Sequence, residues 1–406
     1  MRGVKRRRAL RLSGLFLTCG CVFWVGCNVD FAYLVPAAVA QLDLLGRVVP
    51  VEQAIESGKL NEKQIAKLNL ILDARIFARD VIGLDVGDNY TTFYDSGGKP
   101  VAFNLSASRK DAFAPKTWTF PLVGTVPYLG YFNQAAAEAK RQELQRQDFD
   151  VFIYQIDAYS GIGYFANPIL SPMLERDEFN LVDTVIHEML HNTVWRASDT
   201  SFNESLATFF GRRGAEAYFS DRYPDEPGRV EEAFGRFEDV DRYSDFALEL
   251  YGELDAFYSS DLPSERKIAD RRLIFEAGAR RFVEEVGPLM NYPSNYEWVS
   301  AGLPVNNAWM LGIRRYNLDL GVFERVFEAT GQDWGASLDA FRAAADADEP
   351  YVFLELWLES GASPSDLARS PRQKTHSDDM EPDGAGSGVH RGPCQHNWTT
   401  TLLPTE

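Results

Sequence analysis

Histidine is nearly absent from this chain. Of 406 residues only five are histidine, and three of these, His376, His390 and His396, fall in the polar C-terminal tail. Cysteine is as scarce: Cys19, Cys21 and Cys27 stand at the amino terminus and Cys394 in the tail, so the body has no disulfide framework and its stability must come from packing. Long apolar runs are also missing. The best, Leu12–Val25, is too short for a comfortable membrane span. Positive charge is in deficit, with 41 basic against 59 acidic residues and a net charge of −18, which argues against nucleic acid as a partner and gives no electrostatic drive toward anionic lipid. Repeats, a phosphate loop and coiled-coil heptads are absent.

Both histidines of the body sit in one pentad, His187-Glu188-Met189-Leu190-His191. On a helix, residues four apart share a face, so the two imidazoles can meet one metal ion while Glu188 stands beside it. The surroundings suit a helix. Asn180 is the expected N-cap, Val182, Val185, Ile186, Met189 and Leu190 form an apolar stripe, and neither proline nor glycine interrupts Leu181 to Arg196. Ordinary core histidines on an amphipathic helix are the alternative, but such a helix has no need for a glutamate between them.

A hydrolytic zinc site holds its metal with three protein ligands and leaves a position for water. With no further histidine downstream the third ligand must be a carboxylate, and Glu204 is the candidate, on a second helical segment opening at Ser201. Ala207 and Gly211, three and seven positions on, would let that helix approach the first. Glu204 could instead be a first-turn glutamate favoured by the helix dipole. Asp199, between the two helices, could accept from a ligand histidine or serve as a loop or capping residue.

The first 26 residues read as a signal peptide. Arg2, Lys5, Arg6, Arg7, Arg8 and Arg11 precede the apolar Leu12–Val25, and Gly26-Cys27 looks like a lipobox with Cys27 as the acylated residue; Cys19 and Cys21 are rival sites. Cleavage would remove six basic and no acidic residues, leaving a balance of about −24. Membrane attachment would then rest on the lipid alone. The expected organisation is a signal peptide over 1–26, a lipidated segment over 27–60, a metallopeptidase domain over 61–362 and a disordered tail over 363–406, where serine, proline, glycine and charge replace large apolar residues.

Within the body, Asn61–Ile82 reads as an amphipathic helix, Thr91–Asn104 and Trp118–Phe132 as strands and hairpins, Gln134–Arg146 as a helix and Val151–Ile156 as a strand. Val230–Tyr258 and Ser264–Val286 read as two long helices forming a hairpin, and Asn306–Tyr316 as a further helix. The fold class is α+β, predominantly helical, with a small N-terminal mixed sheet.

The run Phe120-Pro121 through Tyr128-Leu129-Gly130-Tyr131-Phe132, then Ala158-Tyr159-Ser160, the HExxH helix, Asp199-Thr200-Ser201-Phe202-Asn203-Glu204-Ser205 with Ala207, Tyr258-Ser259-Ser260, and Asn306-Asn307-Ala308 followed by Tyr316 resembles the predicted bacterial aminopeptidases, lipoprotein relatives of the gluzincin metallopeptidases. The likeness extends from about Cys27 to about residue 350. It implies a gluzincin-like core and a Zn²⁺ peptidase acting on peptide substrates from the cell envelope, with His187, His191 and Glu204 as ligands and Glu188 as general base. It also implies an edge strand within Ala158–Leu170 for extended substrate, with a simple surface hairpin as the alternative. Related enzymes stabilise the oxyanion with tyrosine or histidine. In a chain so poor in histidine this points to Tyr316, with Tyr159 second. The Gly-x-Met-Glu-Asn segment by which better-known relatives hold the substrate amine is missing, and Asp157 or Asp183 could supply that carboxylate. An endopeptidase, or a surface lipoprotein that keeps the fold without turnover, remains the alternative.

Overall fold

The computed structural model describes residues 31–120, 124–158 and 166–361. Cys27, Tyr159, most of the expected edge strand and the C-terminal tail lie outside the described residues.

The chain opens with α1 (Phe31–Leu45), followed by β1 (Val49–Pro50), α2 (Val51–Glu56) and α3 (Glu62–Phe77). Asn61 starts α3 with a reciprocal capping box. Its side chain accepts from the Gln64 amide at 2.9 Å, and its own amide donates to Gln64 Oε1 at 3.1 Å. The buried face of α3 is Leu68, Ile71, Ala74 and Phe77. The expected helix over Asn61–Ile82 has the anticipated extent, but its last turn, Ala78–Ile82, widens to a π-helix that ends on left-handed Gly83.

Next come β2 (Thr92–Tyr94), β3 (Ala102–Arg109), β4 (Trp118–Phe120), β5 (Gly124–Val126), β6 (Tyr128–Tyr131), α4 (Gln134–Arg146), β7 (Phe149–Ile156) and β8 (Ile169–Leu170). They form small sheets rather than one. The order β1-β2-β8 is mixed, antiparallel between β1 and β2 and parallel between β2 and β8. The order β6-β3-β7 is antiparallel throughout, and β4 pairs with β5 as a hairpin.

The rest is helical: α5 (Glu178–Thr193), α6 (Thr200–Arg222), α7 (Pro227–Tyr258), α8 (Ser264–Arg281), α9 (Glu297–Ser300), α10 (Asn307–Tyr316), α11 (Leu320–Ala329), α12 (Trp334–Ala345) and α13 (Pro350–Ser360). The molecule is thus mainly helical with small sheets. Helices α7 and α8 pack as the expected hairpin, with Gly278 leaving room for Leu250.

One expectation about α5 is corrected. Its N-cap is Asp177, whose carboxylate accepts from the Asn180 amide at 2.9 Å, so the helix begins three residues earlier than a cap at Asn180 would have it. The helix stops at Thr193, where the chain turns at extended Val194 to reach α6.

The principal core gathers α3, α5 and α6 with the C-terminal helices, and Leu44, Val51 and Ala54 from the amino-terminal segment belong to it. A second core joins β7 to α7, α8 and α10, and a third lies between α4 and the antiparallel sheet. The metal-motif helices lie inside the first core, flanked by the second.

Candidate metal centre

Helix α5 is buried on more than its apolar side: Leu181, Val182, Val185, Ile186, Met189 and Leu190 are buried, and so are Asp183, Thr184 and His191, so its polar residues are held inside the protein rather than on a wet face. Helix α6 crosses it at close range. A methyl group built on Gly211 would stand 2.3 Å from Asp183 Oδ1, 2.9 Å from the Asp183 carbonyl and 3.2 Å from His187 Cβ, so only glycine permits this approach. Asp199 caps α6 through the Phe202 amide at 3.1 Å and pairs with Arg196 at 3.3 Å. It therefore fills the capping role rather than accepting from a histidine. Glu204 lies five residues beyond that cap, past the first turn, and its buried carboxylate faces α5.

The two histidines and this glutamate converge. His187 Nε2 is 3.4 Å and His191 Nε2 3.7 Å from Glu204 Oε2, and ligand atoms of all three lie within 4.8 Å of one another. Two donors about 2.0–2.1 Å from a tetrahedral zinc ion stand about 3.3 Å apart, so the spacing fits such an ion. Burial pushes the His191 imidazole down to about 4, against the pull of Glu204. That favours a neutral ring, the form that binds metal. Burial also works against charge on His187, but the hydrogen bond it donates to Glu204 and the charges of Glu188, Glu204 and Asp183 outweigh it and raise its pKa. Burial would raise Glu204, yet the bond to His187 and the charges of His191, His187 and Arg315 hold it low. His191 Nδ1 is buried with no hydrogen-bond partner among the described residues, and Trp195 packs edge-on at 5.7 Å from its ring.

Glu188 stands beside the triad. Burial lifts its carboxyl to about 7; the charges of Glu204 and Asp157 add to this, while those of His187 and Arg176 oppose it. A carboxyl poised there can take and return a proton near neutrality. Asp157 is not free to hold a substrate amine. Arg176 grips it from Nε at 2.7 Å and Nη2 at 2.6 Å, and also donates to Thr184 of α5. Asp183 lies beneath Gly211 one turn before His187.

Tyr316 reaches this place from the end of α10. Its ring lies 6.1 Å from that of His187 at an interplanar angle of 24°. Burial, reinforced by Glu204, holds its phenol well above 10 and therefore protonated. Helix α10 is fixed at both ends. At the start, Asn306 caps it, the Asn307 amide donates to buried Asp150 at 2.7 Å, and Tyr258 donates to Asn307 Oδ1 at 2.8 Å. At the finish, Ser205, next to Glu204, donates to the Arg315 carbonyl at 3.1 Å and accepts from the Leu318 amide at 3.0 Å.

Three members of the site escaped the sequence reading. Tyr128 on β6 and Tyr154 on β7 are held protonated by burial, and both feel the charges of Glu204 and Arg315. Tyr154 is also hydrogen-bonded to Tyr316 and to Asn104, the latter at 3.1 Å. Buried Arg315 lies 5.2 Å over the Tyr128 ring, with Nη1 lacking a partner among the described residues. Position next to Tyr316 was the only signal for Arg315. Tyr128 lay in the run that carries the family resemblance but with no role attached, and nothing local marked Tyr154, because register across β3 places both.

Two imidazoles and a carboxylate meeting in a buried pocket beside a second glutamate define a candidate metal centre of hydrolytic type. Residues 32–350 match the model of the family described as "Putative aminopeptidase", and the chain belongs to that family. No curated protein and no solved structure matches it.

Proposed function

We propose that this protein is a zinc-dependent aminopeptidase with a gluzincin-type core, exported and held on a bacterial envelope membrane by an acylated Cys27, with its catalytic body outside the cytoplasm. The observation that carries the reading is the convergence of His187, His191 and Glu204 with half-buried Glu188 beside them. A scaffold without turnover has no use for that fourth residue.

His187, His191 and Glu204 would hold the ion. Bound there, zinc would supply a Lewis acid that acidifies water and polarises the substrate carbonyl. Glu188 takes the proton from the attacking water. The water oxygen ends on the carbonyl carbon, the C–N bond breaks, and Glu188 delivers the proton to the departing nitrogen. Tyr316, protonated and stacked against His187, donates a hydrogen bond to the developing oxyanion. Arg315 adds the positive charge that offsets Glu204 in a pocket with little access to water.

The test has two arms. The purified full chain should carry one zinc ion, and peptides with a free amine should be trimmed one residue at a time, while N-acetylation blocks cleavage. Internal cuts in free and acetylated peptides alike would overturn the exopeptidase assignment; no cuts with zinc bound would overturn turnover itself. Full activity after exhaustive chelation would remove the metal from the account. Labelled fatty acid should enter the protein and be lost on Cys27→Ser.

A further inference from the structure

The outer side of α1 is out of keeping with the rest of the surface. From Phe31 to Leu42 the chain carries no charged residue. Val35, Val39 and Leu42, spaced four and three apart and therefore on one face, are 55%, 61% and 64% exposed. Ala38 and Pro36 are exposed with them. Of the other exposed large apolar side chains, Val352 and Leu356 form a pair on α13 and the rest are spread over distant segments. Single exposed side chains need no explanation, but a charge-free apolar stripe does.

The stripe does not come from loose attachment. On the inner side Tyr33 donates to the Gly130 carbonyl at 2.7 Å and accepts from the Gly130 amide at 3.1 Å. Its ring packs against Tyr131 at 5.2 Å and Phe120 at 6.2 Å, and Leu44 is buried in the principal core. The helix is docked with a fixed rotation, and that rotation turns its apolar side outward.

We propose that this face of α1 lies on a lipid bilayer, with Val35, Val39 and Leu42 sunk into the boundary between headgroups and acyl chains. The inference rests on the acylated Cys27 of the functional reading. Four residues lead from Cys27 to Phe31, and an extended chain of that length spans at most about 14 Å, so a lipid at Cys27 brings the bilayer to α1. The strongly acidic balance of the chain leaves apolar contact as the attraction available to it. Attachment then has two parts, lipid and helix face, in place of the lipid alone. Because Tyr33 ties α1 to β6, the strand that carries Tyr128, the contact also fixes how the candidate metal centre is turned relative to the membrane.

The test uses the full chain in a bacterial host with Cys394→Ser and either Val39→Cys or, as control, exposed Lys59→Cys. Each is labelled with an environment-sensitive fluorophore and reconstituted in phosphatidylethanolamine–phosphatidylglycerol vesicles whose acyl chains bear nitroxides. Fatty-acid incorporation is measured in parallel. At position 39 emission should shift to the blue and be quenched several-fold more than at position 59. Acylated protein quenched equally at both positions would overturn the proposal. So would a blue shift at 39 that persists without vesicles and without quenching, since the face would then be covered by the chain's own termini or a second copy. Absence of fatty acid would refute the Cys27 reading separately, and the same comparison on chains that also carry Cys19→Ser, Cys21→Ser and Cys27→Ser, so that the fluorophore sits only at 39 or 59, would then decide for or against α1.

Discussion

Gly211 of α6 stands directly over His187 of α5: a Cβ at that position would lie 3.2 Å from the His187 Cβ and 2.3 Å from Asp183 Oδ1. The close crossing of the two helices, and with it the reach of Glu204 to the imidazoles, depends on one missing methyl group. Gly211→Ala should cost about 1–3 kcal/mol by overpacking and weaken metal binding at the same time. Gly252→Ala on α7, where nothing lies within 4 Å, should be neutral or stabilising. Thermal melts with and without zinc would reveal the difference, and unchanged metal affinity in Gly211→Ala would refute the coupling.

Ligand and base are separable by substitution. His187→Ala should abolish metal occupancy and Glu204→Gln weaken it. Glu188→Gln should keep the metal while lowering turnover by about 10²–10⁴-fold. Metal analysis beside peptide hydrolysis reads both; loss of metal in Glu188→Gln would make that residue a ligand instead.

Tyr316→Phe removes a protonated donor but leaves the ring against His187. Turnover should fall about 10²–10³-fold with KM and metal content nearly unchanged. Tyr154→Phe removes the hydroxyl that meets Tyr316 and accepts from Asn104, but no group assigned to the oxyanion, and should have a smaller effect. Equal losses in the two variants would favour a shared structural role.

The Asp157–Arg176 pair should show itself in acid. Burial would raise the Asp157 carboxyl, but the charge and hydrogen bonds of Arg176 overcome it and keep the pKa below the model-peptide value. A carboxyl depressed in the folded state contributes stability that is complete above the unfolded pKa of about 4 and is lost as pH falls through the folded value. Asp157→Asn should therefore cost about 3 kcal/mol at pH 7 and give a shallower decline between about pH 5 and 3 than the parent chain. Parallel acid limbs in urea titrations would show that the pair is not responsible.

Much of the site was legible before any coordinate. His187, Glu188 and His191 were marked by type and spacing alone, and Glu204 by the need for a carboxylate on a second helix with small residues behind it. Helix α5 was placed, but its ends were not. Asp177, three residues before Asn180, takes the cap, and either polar residue could have done so by pattern. Asp199 had two roles open, and the distance to the Phe202 amide decided for capping.

What the sequence determined by itself was local: an i, i+4 pair of imidazoles and an apolar stripe both follow from helix periodicity and composition within a few residues. What only the tertiary structure decided was convergence. Tyr128, Tyr154 and Arg315 come within range of the Glu204 charge through strand register and through a helix held at its far end by Asp150 and Tyr258. Such contacts join residues tens to more than a hundred positions apart, and no short window of sequence carries the distance between them. The rotation of α1 is of the same kind: its lack of charge was written in the chain, but the bonds from Tyr33 to Gly130 decided which side faces out.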